Sequence, residues 1–407
     1  MKTAWLLGVA LLAGTASSLA FLGACATNDE GIGPGELPDR NTLPDGSAEA
    51  SNDDAGFADA ATDLPCTPHT LCPAGLFGAD TVGGALDLRT RINAIRGRSA
   101  NDVWAVGARG AVGHFDGTTW KRLELGSQDS IGALWLRDSG EVGFASWALY
   151  SRGGVAGTPA DAGAPSTDGW LARGPVTRPP ELNDGFQLTS AWSSAGSEWG
   201  FCTSVAPPDI PGVSDLTTNG IWRLRYGPEE QRFEVVRLLP PGTCATFGCR
   251  RLTSVHGISD DDVWAVGYRG SAVHITSASS DSPKVAPFDT QTWAGFSGVW
   301  AASGNDVWAV GGGGTIRHYT GHPDTFDVVD AVPTTEALNA VWGTGPNDIW
   351  AVGNAATVLH YDGAAWSRVD VAALGGRRPD LYTVWASAPG HVWIGGDGVV
   401  LSLGGRP

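Results

Sequence analysis

The sequence predicts an all-β fold, a seven-bladed β-propeller of four-stranded antiparallel blades closed by an N-terminal strand. Three observations carry this. Val-Trp-Ala-Val-Gly recurs at Trp104, Trp264 and Trp308, and as Ile-Trp-Ala-Val-Gly at Trp350. Eight residues before each of these tryptophans another apolar strand ends, at Arg96, His256, Trp300 and Trp342. The later copies are spaced 44, 42 and 43 residues apart, the length of one propeller blade.

The paired marks extend the count to degenerate copies. Leu381 to Trp385 stands eight before Trp393, Ala133-Leu134-Trp135 points to Gly143, and Ser190-Ala191-Trp192 points to Gly200. The copies therefore centre on 104, 143, 200, 264, 308, 350 and 393. The cleanest copy reads as four strands, a to d: Leu338 to Trp342, Asp348 to Val352, Thr357 to Tyr361 and Trp366 to Val369. Strand b is apolar at every position, as expected where neighbouring blades cover both faces. Asp362-Gly363 before Trp366, and Asp116-Gly117 before Trp120, mark the c to d hairpins. The seventh copy ends after its strand c, Val399 to Leu403, so its open edge needs a partner. The strand-like piece Ala85 to Thr90 has no blade of its own and is expected to close the ring, within a propeller spanning 84–407.

Lys2 followed by an apolar run from Ala4 to Leu22 describes an export signal, residues 1–24. Its ending, Leu22-Gly23-Ala24-Cys25, resembles the lipobox of bacterial lipoproteins, which implies cleavage before Cys25 and lipidation of that cysteine. Ala26 in place of Asp favours the outer membrane, so the expected location is the bacterial cell envelope, with the membrane reached only through the lipid. Residues 25–65 read as a disordered acidic tether, since residues 26–65 carry a net charge of −9 and little that could form a core. Residues 66–83 form a cysteine-containing lead-in. Residues 66–407 also carry a net −9, with no basic cluster, which argues against nucleic acid as a partner. The propeller is expected to be monomeric.

In an exported chain the close pairs Cys66/Cys72 and Cys244/Cys249 read as two local disulfides. Cys202, at the place of Val352 in strand b, reads as a buried free thiol, with exchange against Cys244 or Cys249 as the alternative. The cysteines match no zinc spacing, and no metal or other cofactor is expected.

Four histidines, His114, His274, His318 and His360, each follow a signature tryptophan by ten residues. A hairpin between them sets each His opposite its Trp, where it is expected to be half-buried and bonded within its own blade. The doublets Asn101-Asp102, Asp261-Asp262, Asn305-Asp306 and Asn347-Asp348 fall in the a to b turn and are expected to bond the local backbone.

Asp116-Gly117-Thr118-Thr119-Trp120 and Asp362-Gly363-Ala364-Ala365-Trp366 resemble the Asp-box, or BNR, repeats of sialidase-like propellers and the related photosystem II assembly-factor-like propellers. The run of Val-Trp-Ala-Val-Gly copies resembles exported bacterial propeller lipoproteins that have no assigned reaction. The box lacks its leading Ser, because His114 stands two residues before Asp116. In the family this turn is structural, so the resemblance implies fold and not catalysis.

A sialidase-type hydrolase needs an arginine cluster, a Tyr nucleophile and a carboxylate acid near the ring centre. No Tyr reads as sitting in an Arg- and Glu-rich neighbourhood at the start of a blade, and no other catalytic set can be assembled from spacing. The sequence therefore favours a non-catalytic binding or scaffolding protein engaging a cell-envelope protein or polysaccharide, with a sialidase-like carbohydrate-active hydrolase as the rival. The d to a and b to c loops share one face and hold the elaboration: Thr203 to Gly220, Pro240 to Arg250, and Val371 to Asp380. On that face the candidate binding residues are Arg109, Tyr268, Arg269, Arg377 and Arg378.

Overall fold

The signature strand explains itself once its neighbours are in place. In Val-Trp-Ala-Val-Gly the four apolar residues are buried, at most 2 % exposed in blades 1, 4 and 5, because a blade packs on each face of the sheet. The final glycine lies against the carbonyl of the residue that precedes strand a. A Cβ at Gly107, Gly267, Gly311, Gly353 or Gly396 would overlap the carbonyl oxygen of Arg91, Arg251, Gly295, Ala337 or Asp380 respectively. Each of these oxygens accepts the N–H of the residue after the glycine, as in Gly312 N–H to Gly295 O at 3.0 Å and Asn354 N–H to Ala337 O at 2.9 Å.

The computed structural model describes residues 64–138, 140–145, 148–153, 163–173, 187–205, 220–227, 232–240, 242–249 and 251–403. The export signal, Cys25, nearly all of the tether, most of the loop from Thr203 to Gly220, and Arg250 lie outside them. The described part is a seven-bladed propeller of four-stranded antiparallel sheets. Blades 1 to 6 cover residues 92–124, 133–173, 187–237, 252–287, 296–328 and 338–368. Blade 7 has Leu381–Ala388, His391–Gly396 and Val399–Leu403 as strands a to c.

Strand d of blade 7 is Leu71–Pro73, which pairs antiparallel with Val399–Leu403, Leu71 opposite Leu403. This corrects the expected closure by Ala85 to Thr90 and moves the start of the propeller from 84 to Leu71. The physical reason is that residues 85–90 fill the place of a d to a loop. The N–H of Gly398, at the b to c tip of blade 7, donates to Thr90 O at 2.9 Å, just as that of Gly110 in blade 1 donates to Asp129 O at 2.8 Å. Leu71 is fully buried, whereas Leu88 is 55 % exposed.

Two weak copies sit one residue away from their expected centres. Strand a of the strong blades carries a bulge before the turn, between Gly97 and Ser99 in blade 1, which makes the spacing eight. Blade 2 has no such bulge, so Trp135 faces Val142 rather than Gly143. The longer turn of blade 3 sets Trp192 opposite Phe201 rather than Gly200. Cys202 then takes the place of Ala351, not Val352; it is buried and unpaired, and burial pushes its thiol up to about 12. The sulfurs of Cys66 and Cys72, and of Cys244 and Cys249, lie at disulfide distance. No described helix is long and apolar enough to cross a membrane.

Inner strands of successive blades are joined around the axis by side chains. Asn93 donates to Ile131 O at 2.9 Å, Thr253 to Phe296 O at 2.7 Å and Asn339 to Leu381 O at 2.8 Å. Across the closing seam Thr383 accepts the N–H of Ile95 at 3.0 Å.

Candidate functional site

Each strong blade holds a polar triad that is structural. His114 stacks on Trp104 at 4.2 Å between ring centroids, and Asp102 Oδ1 accepts from the Trp104 indole at 2.8 Å and lies 2.9 Å from His114 Nε2. Asp306 and Asp348 do the same with Trp308/His318 and Trp350/His360, and Asp262 bonds His274 at 2.7 Å. The histidines are bonded within their own blades, as expected. The second residue of each doublet differs from expectation, because its carboxylate holds an imidazole, and in three blades an indole, rather than local backbone. Burial alone would raise the Asp102 carboxyl, but Arg98 and His114 outweigh it and hold it low.

On the loop face, the b to c tips are tight turns with two residues at positive φ. Arg109 and Gly110 have φ of 55° and 70°, and Arg269 and Gly270 have 54° and 72°. This is the combination that matches strand twist in a two-residue hairpin. Each tip tucks beneath the loop leading to the next blade, so that a Cβ at Gly270 would run into the carbonyl of Thr292.

The five candidate residues do not converge. Arg109 sits on blade 1 and Arg377 and Arg378 lead into blade 7, while Tyr268 and Arg269 belong to blade 4, three blades from either. Around Tyr268 the structure adds partners that the sequence reading missed. The guanidinium of Arg251 lies 5.3 Å from the Tyr268 ring centroid and that of Arg269 5.5 Å, an aromatic ring flanked by two cations. The loop 292–295 passes the same tip, and its Trp293 is 83 % exposed, the highest value among the large apolar side chains described. The Ser271 hydroxyl donates to Gly248 O at 2.8 Å, which brings the Cys244–Cys249 loop and the exposed Phe247 beside the patch. One signal could have found Trp293: it is a tryptophan in a d to a loop, outside every blade register.

A second cluster lies where blade 7 meets blade 1, around a tyrosine with one arginine and one aspartate beside it and, among the described residues, no glutamate. Tyr382 opens strand a of blade 7, donates to Asp397 Oδ2 at 3.0 Å, and has the Arg91 guanidinium 4.0 Å above its ring. Arg91 in turn pairs with Asp397 at 3.1 Å. Arg377 donates to the carbonyls of Asp397 and Gly398, so it serves to hold the blade 7 tip. Burial and the bond to Asp397 push the Tyr382 phenol up to about 12, opposite to what a nucleophile needs.

The axis itself is lined by strand a of every blade. At the position opposite the signature residue stand five tryptophans, Trp135, Trp192, Trp300, Trp342 and Trp385, with His256 in blade 4 and Arg96 in blade 1. The tryptophans and His256 of this ring reach the next blade, whereas Arg96 bonds Ile95 O on its own strand. Trp300 and Trp192 lie where a Cβ of Gly343 or Gly257 would be, 2.5 and 2.7 Å away. Trp342 Nε1 donates to Ala386 O at 3.0 Å, and His256 Nδ1 accepts the N–H of Ala301 at 3.2 Å.

Burial, with Arg96 nearby, holds the His256 imidazole down to about 3. The unfolded chain takes up this proton near pH 6.5 and the folded one does not. Stability therefore falls as pH drops from about 6.5 toward 3, by up to about 1.4 kcal/mol per pH unit. The depressed carboxyls act mainly below about pH 4.5, so the difference between wild type and His256→Gln over about pH 6 to 4.5 reads this histidine against a shared background. His256→Gln should flatten urea-unfolding stability across that window; an unchanged slope would assign it to other groups.

Among the described residues no group of three or more His, Cys, Asp or Glu side chains could hold a metal ion. No protein-family model matches the chain, and no curated protein sequence matches it. Solved structures do share its fold. YCF48 from Cyanidioschyzon merolae is 17 % identical with a TM-score of 0.54, over 78 % of this chain and 96 % of that one. YCF48 bound to D1 peptide is 13 % identical with a TM-score of 0.54, over 85 % and 98 %. The extracellular domain of a putative hybrid two-component system from B. thetaiotaomicron is 14 % identical with a TM-score of 0.51, over 82 % of this chain and 40 % of that one. At such identities the likeness establishes the β-propeller and nothing about ligands.

Proposed function

We propose that this is a non-catalytic binding protein of the bacterial cell envelope, anchored by lipid at Cys25, whose loop face engages an acidic segment of a protein partner. The observation that carries the reading is the patch of Trp293, Tyr268, Arg251 and Arg269. Trp, Tyr and Arg are the residues that dominate interface energetics, and two guanidinia beside a tyrosine favour carboxylates in an otherwise acidic protein. The peptide-bound state of YCF48 gives a precedent for a peptide on this fold. Cysteine pairs at disulfide distance support an oxidising compartment, and Ala26 favours the outer membrane. The hydrolase reading loses support at Tyr382, whose arginine and carboxylate neighbours bond each other and the protein.

Pull-downs from membrane extract with wild-type protein, Trp293→Ala and Tyr268→Ala test this. A partner held by wild type should be lost by roughly 30-fold or more in each variant, and retained by Arg109→Ala and Arg378→Ala. Equal recovery by all proteins rejects the patch, and a mature N-terminus without an acylated Cys25 rejects the anchor.

A further inference from the structure

The face opposite the loops carries a different kind of opening. Two cavities lie on the axis, an inner chamber of about 100 Å³ and an outer one of about 360 Å³ that opens at the a to b turns. They share Arg96, Trp192 and Trp342, which form the waist between them. We propose that this axial mouth is a second binding site, which takes a single carboxylate carried on a compact ring.

Arg96 is the reason for the carboxylate. Its neighbour Arg98 is satisfied by Asp102 at 2.9 Å and Glu141 at 2.8 Å. Arg96 has no carboxylate partner among the described residues. Its Nη1 donates to the carbonyl of Ile95 at 2.7 Å, and its guanidinium lies 5.0 Å from the Trp342 ring centroid. The planar fork therefore keeps donors for a ligand, and a carboxylate matches it in two parallel bonds. Burial lowers Arg96 only to about 10, so it stays charged at neutral pH. His256 adds a donor in the inner chamber. Its Nδ1 accepts from Ala301, which places the proton of the neutral ring on Nε2.

The ring follows from the walls. Trp135, Trp300 and Trp385 are buried, whereas Trp192 and Trp342 keep part of their surface open at the waist. An outer volume of about 360 Å³ is at the lower end of small-ligand pockets, enough for one ring-sized molecule. Arg98, Arg137 and Asp138 also line the outer cavity; with Arg98 paired to Asp102 and Glu141, and Arg137 and Asp138 of opposite sign, Arg96 leaves one positive charge for the ligand. A uronic acid unit and an aromatic carboxylic acid share this chemistry, and experiment separates them.

The test is calorimetric titration of the full chain with glucuronate and with benzoate, each against its uncharged counterpart, methyl glucoside and benzamide. At least one acid should bind while its counterpart does not, and which acid binds identifies the source. Arg96→Gln should weaken that binding at least tenfold with an unchanged melting temperature, and Arg96→Lys should retain part of it. Should Arg96→Gln not fold, indole N–H resonances decide, assigned through Trp192→Phe and Trp342→Phe: the bound acid should shift both. The proposal is overturned if neither acid binds at millimolar concentration, if Arg96→Gln binds as wild type does, or if binding leaves both indole signals in place.

Discussion

Gly311→Ala is expected to destabilise the propeller by about 3 kcal/mol, an unusually large effect for adding one methyl group. Its φ of −169° is extended backbone open to any residue, so conformational freedom is not the cause. The added Cβ would overlap the carbonyl oxygen of Gly295, which is fixed because it accepts the N–H of Gly312. Relief requires moving the start of strand a in blade 5. Gly313→Ala is the control, at φ 64° with nothing near its Cβ. The equivalent residues Arg109, Arg269 and Ala355 already carry side chains at positive φ, so it should cost less than about 1 kcal/mol. Urea midpoints of the two variants check this, and equal losses would show that close approach is not what the signature glycine provides.

Leu71→Asp should cost about 3–5 kcal/mol, since it buries an unpaired carboxylate. Leu71 is fully buried against residues of blades 6 and 7, including Trp350, Val352 and Leu381. Its N–H donates to Asp370 O at 3.1 Å and its carbonyl accepts from Ala372 at 2.8 Å, so one residue joins two blades and closes the ring. Leu88→Asp, in the segment first expected to close it, should change stability by less than about 0.5 kcal/mol. The reverse ranking would restore Ala85 to Thr90 as the closing element.

The blade number was legible because each strong copy repeats a demand made by packing: apolar residues between sheets and a glycine under a carbonyl. Registers in blades 2 and 3 were not, because one bulge more or less shifts the spacing without changing composition. Closure was misplaced for a related reason. Leu71–Pro73 is too short to show periodicity, while Ala85 to Thr90 alternates like a strand yet lies over a turn. Of the proposed binding patch, Tyr268 and Arg269 were found from the hairpin tip. Arg251 and Trp293 were not, since loops of two blades must meet before they adjoin Tyr268. The axial ring was hidden similarly: its tryptophans were used only as strand markers, and nothing in a linear reading says that Arg96, Trp192 and Trp342 share one waist.

Blade 7 draws its outer strand from one end of the described chain and its other three from the opposite end. During vectorial synthesis Leu71–Pro73 emerges before the other strands of its blade and has no partner until Val399–Leu403 arrives. Six sheets can form in sequence, yet they remain an open arc whose two end blades each leave an apolar face uncovered. The step that joins them brings together the most distant contacts among the described residues, and such contacts are slow to form. Maturation is therefore gated by the last strand, and a chain interrupted before it leaves an arc exposed to proteases and to pairing with other chains.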